Sequence, residues 1–128
     1  MPWYAASVIQ YFEFIHEPQQ DYTVWENIYL FNASTPEDAL TLAQQHGRAA
    51  SGSQSEGLRV DGKPARLVFG GVRKVIACAP NPFSSASEPE VETMENGVEA
   101  TYMSFTVSSK ADLDALVRGD AVTLRYEE

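Results

Sequence analysis

The run from Trp3 to Ile15, WYAASVIQYFEFI, is built of aromatic and β-branched residues and contains neither glycine nor proline. Such side chains fit a pleated, half-buried surface, and nothing here interrupts a pairing ladder, so the run reads as a long strand. The polar segment His16–Asp21, with Pro18 inside it, turns the chain, and a second strand is expected from about Thr23 to Ala33. On that strand Trp25, Asn27, Tyr29, Phe31 and Ala33 point one way, and Glu26, Ile28, Leu30 and Asn32 the other. Two long apolar strands joined by a short turn commit the chain to a sheet before any helix begins.

The helix that follows has the clearest local signal. Thr35 can cap it, Pro36 takes the first helical position where its missing N–H costs nothing, and Glu37 and Asp38 suit the positive end of the dipole. Ala39, Leu40, Leu42, Ala43, His46 and Ala50 recur at near-helical spacing. The helix ends at Gly47 or runs on a few residues towards Ser51, and Ser51–Gly57 has the composition of a flexible linker. Leu58–Val60 and Arg66–Ala79 read as strands around the hairpin pair Asp61-Gly62, with Pro64 confining the first to an edge or a short length. Gly70-Gly71 inside the second run marks a bulge, a bend or the close approach of another backbone.

Pro80–Asn96 holds three prolines and four glutamates with no basic residue, and reads as a flexible acidic loop. A strand is expected over Val98–Ser108, then a short amphipathic helix over Ser109–Arg118 capped by Ser108 or Ser109 and ended by Gly119. A last strand covers Ala121–Tyr126. The order β-β-α-β-β-β-α-β describes one α+β domain over residues 1–128. Its sheet is mostly antiparallel, with one main helix and one short C-terminal helix. The expectation is that one face of the sheet carries both helices and the other is partly exposed or covered by a second copy.

Charge narrows the partner class. The 128 residues carry a formal net charge of −9, and residues 1–47 contain six acids and no lysine or arginine. Nucleic-acid affinity depends on lysine and arginine displacing counterions from phosphates, so this field argues against a nucleic-acid partner and attracts a basic protein or a cation. The same charge also keeps a protein in solution. No apolar run approaches the roughly 18 residues of a membrane span, and no basic segment precedes an apolar one at the N-terminus. The one cysteine, Cys78, can form no internal disulfide, and a cytoplasmic location is the expectation.

No catalytic set emerges. Cys78 lies in Ala77-Cys78-Ala79-Pro80, where a buried inert thiol is expected; His16 sits in the polar turn and His46 on or beside the buried stripe of the first helix. Two histidines and one cysteine give no zinc spacing, and the acidic loop lacks a calcium-loop pattern, so no metal or cofactor is expected. Glu13, Glu26 and Glu99 lie on strands, where a solvent-facing carboxylate is the ordinary case. The aromatic residues of the first two strands have no lysine or arginine among them, which excludes a stacking platform for single-stranded nucleic acid and leaves a protein-binding surface. Tyr11, Glu13, Trp25, Glu26, Tyr29 and Glu99 are the candidate partner-binding residues.

Several short motifs resemble a known family. Trp3-Tyr4-Ala5-Ala6, Trp25-Glu26-Asn27-Ile28 and Ala33-Ser34-Thr35-Pro36-Glu37-Asp38-Ala39 with Ala43 behind it are similar to the bacterial family called domain of unknown function 4288. Phe69-Gly70-Gly71-Val72 and Gly97-Val98-Glu99-Ala100 are similar to two of its strands. The resemblance spans roughly residues 3–105, with the Ser/Gly segment, the acidic loop and the last helix and strand as departures. It implies a small bacterial α+β domain and supplies no activity. The expected function is a non-catalytic protein-binding module, in its most specific form an antitoxin or immunity-type protein that neutralises a basic partner. The alternatives are an enzyme or small-ligand domain with a pocket of Trp25, Glu26, Tyr29 and Glu99, or a structural subunit that forms a homodimer through its aromatic sheet face.

Overall fold

A computed structural model describes residues 2–78 and 95–126, apart from the side chains of Ser53 and Gln54. Most of the acidic stretch near 80–96 lies outside the described residues. The elements are β1 (Trp3–Phe14), β2 (Tyr22–Asn32), α1 (Pro36–Gln54), β3 (Arg59–Val60), β4 (Lys63–Ala77), β5 (Val98–Val107), α2 (Lys110–Arg118) and β6 (Arg125–Tyr126). They form a six-stranded sheet in the order β3-β4-β1-β2-β5-β6, with antiparallel neighbours throughout. The α+β class and the element order are those expected from the sequence.

The local signals act as their chemistry dictates. In the β1–β2 turn, Gln19 accepts from the Phe14 N–H (3.0 Å) and donates to the carbonyls of Phe12 (2.8 Å) and Asp21 (3.1 Å), tying the strand ends together. The Thr35 hydroxyl accepts from the Asp38 N–H at 3.1 Å to cap α1, and Ser109 caps α2 through Asp112 at the same distance. Asp61 and Gly62 both adopt positive φ in the two-residue loop between Val60 and Lys63.

Three expectations change. First, α1 runs through Gly47 to Gln54, so the first half of the segment read as a linker is its last turn. Ser51 is buried there and its hydroxyl accepts from Gln10 at 2.8 Å, a tertiary contact that composition cannot reveal. Second, only Arg125 and Tyr126 pair in the last strand, because Val122 and Leu124 pack against the α2 core instead.

Third, the two helices cover opposite faces. Residues paired across a ladder share a face, and the β1–β2 register runs unshifted from Trp3–Asn32 to Tyr11–Val24. Ala6, Val8, Tyr29 and Phe31 pack with Ala43 of α1 on what we term the front. Ile9, Tyr11, Tyr22 and Val24 pack with Leu113 and Leu116 of α2 on the back. β1 is apolar at both parities, so each face needs cover. Each helix reaches the sheet at a glycine: a Cβ on Gly47 would lie 2.6 Å from the Phe69 ring, and one on Gly71 2.6 Å from Val117. β4 accommodates this with two bulges against β1, one at the Gly70-Gly71 pair.

Candidate functional site

Because the helices are short relative to the strands, each face is covered over part of its length. On the front, next to the end of α1, a cavity of about 240 Å³ is lined by Gln10, Trp25, Asn27, Tyr29, Glu99 and Tyr102. Its floor is polar and fixed. Asn27 donates its amide to Gln10 (2.5 Å), which donates in turn to Ser51 of α1 (2.8 Å), and all three residues are buried. The chain uses the Asn27 amide nitrogen and leaves its carbonyl oxygen as the remaining acceptor. No buried side-chain polar atom among the described residues lacks a partner, so that oxygen is open to the cavity that Asn27 lines.

The walls are aromatic. Trp25 is braced by the edge of Phe12 (4.9 Å between centroids, 89°) and faces Tyr102 at 6.5 Å with the rings tilted by 54°. Tyr29 is held from behind by His46 of α1 at 4.4 Å, which explains the place of that histidine on the buried stripe. Burial, and then the Glu99 carboxylate, push the Tyr29 hydroxyl above its ordinary pKa, so it stays protonated at neutral pH. Tyr102 is 60% exposed and Glu99 forms the exposed rim.

Glu99 reaches the front through a backbone irregularity. Across the β2–β5 ladder Tyr102 faces Asn27 and Thr101 faces Ile28, but Glu99, not Ala100, faces Tyr29. Ala100 is the extra residue of a bulge. In a regular strand Glu99 and Tyr102 would point to opposite faces; the inserted residue puts both beside one cavity.

Of the six residues expected at a binding surface, Trp25, Tyr29 and Glu99 converge on this cavity. Glu26, Tyr11 and Glu13 do not, because they share the opposite parity and lie on the back. Glu26 is buried beside Ile9 and Met103 in register, and its carboxylate accepts from the Ser7 hydroxyl. Consecutive strand residues point apart, so the pocket pairing Trp25 with Glu26 does not form. Tyr11 packs edge-on against Tyr22 at 5.7 Å with the Lys110 ammonium 5.6 Å from its ring, and Glu13 pairs with Arg66.

Gln10, Asn27 and Tyr102 were not singled out by sequence. A glutamine between Ile9 and Tyr11 in an apolar strand, and an asparagine at the parity of Trp25 and Tyr29, were the available signals. Cys78, expected to be buried, is exposed at the end of β4.

Two other cavities, of about 270 and 230 Å³, already have lysine and arginine in their linings. Among the described residues, the lining of the Trp25 cavity has none. Its three aromatic side chains, the Asn27 amide oxygen and the Glu99 carboxylate favour a cation over an anion. Among the described residues no cluster of three or more His, Cys, Asp or Glu is placed to hold a metal ion, and no helix is long and apolar enough to cross a membrane.

The profile of the family described as Domain of unknown function (DUF4288) matches residues 3–91. The match spans β1 to β4, including Gln10, Trp25, Asn27 and Tyr29, and stops short of Glu99 and Tyr102. No curated protein and no solved structure matches the chain.

Proposed function

The chain belongs to the domain of unknown function 4288 family, and from that premise we propose that it is a non-catalytic protein-binding module of a bacterial cytoplasm whose partner is a basic protein. The observation that carries the reading is the open front of the sheet. It presents Trp25 and Tyr102 around a cavity whose lining among the described residues holds one carboxylate and no cation, on a chain of net charge −9. Half-exposed aromatic rings around a concavity are typical anchoring points of protein interfaces, and the negative field speeds encounter with a cationic partner. Self-association through the same face would bring two strongly acidic chains together, which their charge opposes. The most specific form of the proposal is an antitoxin or immunity-type protein that neutralises a basic toxin.

Immobilised protein should retain a basic protein from its own cells, with retention falling as salt rises and on Tyr102→Ala, which removes an exposed ring and spares the core. Equal retention by wild type and Tyr102→Ala removes the reading. The antitoxin form is tested separately by co-expression with the product of the adjacent gene. A product that is neither toxic nor bound discards that form.

A further inference from the structure

The front cavity is specific enough in its chemistry to define what enters it. At about 240 Å³ it falls below the roughly 300–1,000 Å³ typical of pockets for drug-sized ligands, and is on the scale of one long side chain. An anion is disfavoured by Glu99 at the rim and by a lining that, among the described residues, has no lysine or arginine. A purely apolar group would cover the open Asn27 oxygen without a donor to satisfy it, an unfavourable burial. The occupant must therefore bring positive charge, hydrogen-bond donors and a surface that can lie against aromatic rings.

Resting on the reading of this face as the binding surface, we infer that the cavity receives one arginine side chain of the partner. A guanidinium is planar, carries five donors in a rigid fork, and is more weakly hydrated than an ammonium. It can lie on the face of one of the two wall rings, Trp25 or Tyr102, whose centroids are 6.5 Å apart and whose planes are inclined by 54°. Its donors meet two acceptors at different depths, the Asn27 carbonyl oxygen on the floor and the Glu99 carboxylate at the rim. An ammonium is a compact point charge that would shed a tighter water shell and has no flat face to lay against a ring.

The Asn27–Gln10–Ser51 chain gives the floor its specificity. It holds the Asn27 amide with the nitrogen turned to Gln10, which leaves the carbonyl oxygen as the acceptor that the floor offers. α1 contributes through Ser51, in the turn beyond Gly47.

The test titrates Nα-acetylarginine N-methylamide, which has uncharged ends, into the full chain while the Trp25 indole resonance is followed by NMR. Trp3→Phe assigns the signal. A saturable shift is expected with arginine, at least about tenfold weaker binding with the lysine analogue, and none with the neutral, near-isosteric citrulline analogue. Glu99→Gln, an exposed substitution, should weaken arginine binding about tenfold by removing a charge-assisted acceptor. Equal binding of the lysine analogue overturns the guanidinium assignment. Equal binding of citrulline overturns the cationic one, and the absence of any saturable shift overturns the site. The two readings fail separately: a basic partner retained equally by wild type and Glu99→Gln, with no arginine binding, leaves the protein-binding reading without this cavity. Arginine binding with no basic partner retained leaves the cavity without that function.

Discussion

The front of the sheet beyond α1 and the back of the sheet beyond the reach of α2 are built from the same strands, yet they offer different chemistry. The front has a cavity with a fixed amide floor, aromatic walls and a carboxylate at its rim. The back shows Ala5, Ile28 and Leu30, half-buried, with the more exposed Ile76, Val98 and Met103 around them, and at its centre the Ser7–Glu26 hydrogen bond. On the front a polar group is left with an open acceptor; on the back the carboxylate has a partner and sits among aliphatic side chains. What separates the two regions is parity along β1, β2 and β5. Trp25 and Glu26 are adjacent in sequence and belong to different surfaces.

The strongest test of that separation removes the core under α2. Leu113 is fully buried on the back, so Leu113→Ala should destabilise the protein by about 2–5 kcal/mol in chemical denaturation. At a temperature where the variant remains folded, arginine binding at the front should stay within about twofold of wild type, because distant sites act independently. A large loss of binding would show that the faces are coupled. Trp25→Ala should act in the opposite sense. The ring is half-buried against Phe12, so its removal should cost about 2–3 kcal/mol, less than a fully buried aromatic, and abolish arginine binding.

A smaller effect is expected at the centre of the back. Ser7→Ala takes the hydroxyl from a buried carboxylate and should cost about 1–3 kcal/mol. Glu26→Gln should cost under about 1 kcal/mol, since the amide oxygen can still accept from Ser7. In a double-mutant cycle the two should be less than additive, and neither should change arginine binding. A loss of binding with Glu26→Gln would restore Glu26 to the site and break the parity argument.

These expectations also mark what the sequence could and could not reveal. Strands, caps and the Asp61-Gly62 turn were legible because each depends on neighbours within a few residues: Thr35 reaches Asp38, and Asp61 and Gly62 close their own loop. Strand alternation correctly grouped Trp25, Asn27 and Tyr29. The position of Glu99 was not legible, because its face depends on the bulge at Ala100, which exists only in the pairing of β5 with β2. The helical state of Ser51 was hidden for a similar reason. Serine and glycine favour a linker locally, and the contact with Gln10 on a strand 41 residues away sets the balance. The division of the helices between faces needed the apolar residues at both parities of β1 to be read as two cores instead of one.

The finest test compares two tyrosines. Tyr29 on the front and Tyr11 on the back are both raised above the ordinary value of 10.0, in each case first by burial. A raised native pKa favours the neutral hydroxyl, so each contribution to stability is complete below the ordinary tyrosine range and is lost as pH climbs through the native value. The second influence differs. Glu99 raises Tyr29, whereas the Lys110 ammonium acts against the rise at Tyr11 and Glu13, Tyr22 and Asp114 add to it. Glu99→Gln should therefore lower the Tyr29 titration while leaving it above the ordinary value through burial, and Tyr11 should not move. Ring-carbon NMR titration of both residues reads the result directly. A shift at Tyr11 would mean that Glu99 is not confined to the front. No shift at Tyr29 would mean that the β5 bulge does not hold the carboxylate at the rim, and the acceptor proposed for the guanidinium would be lost with it.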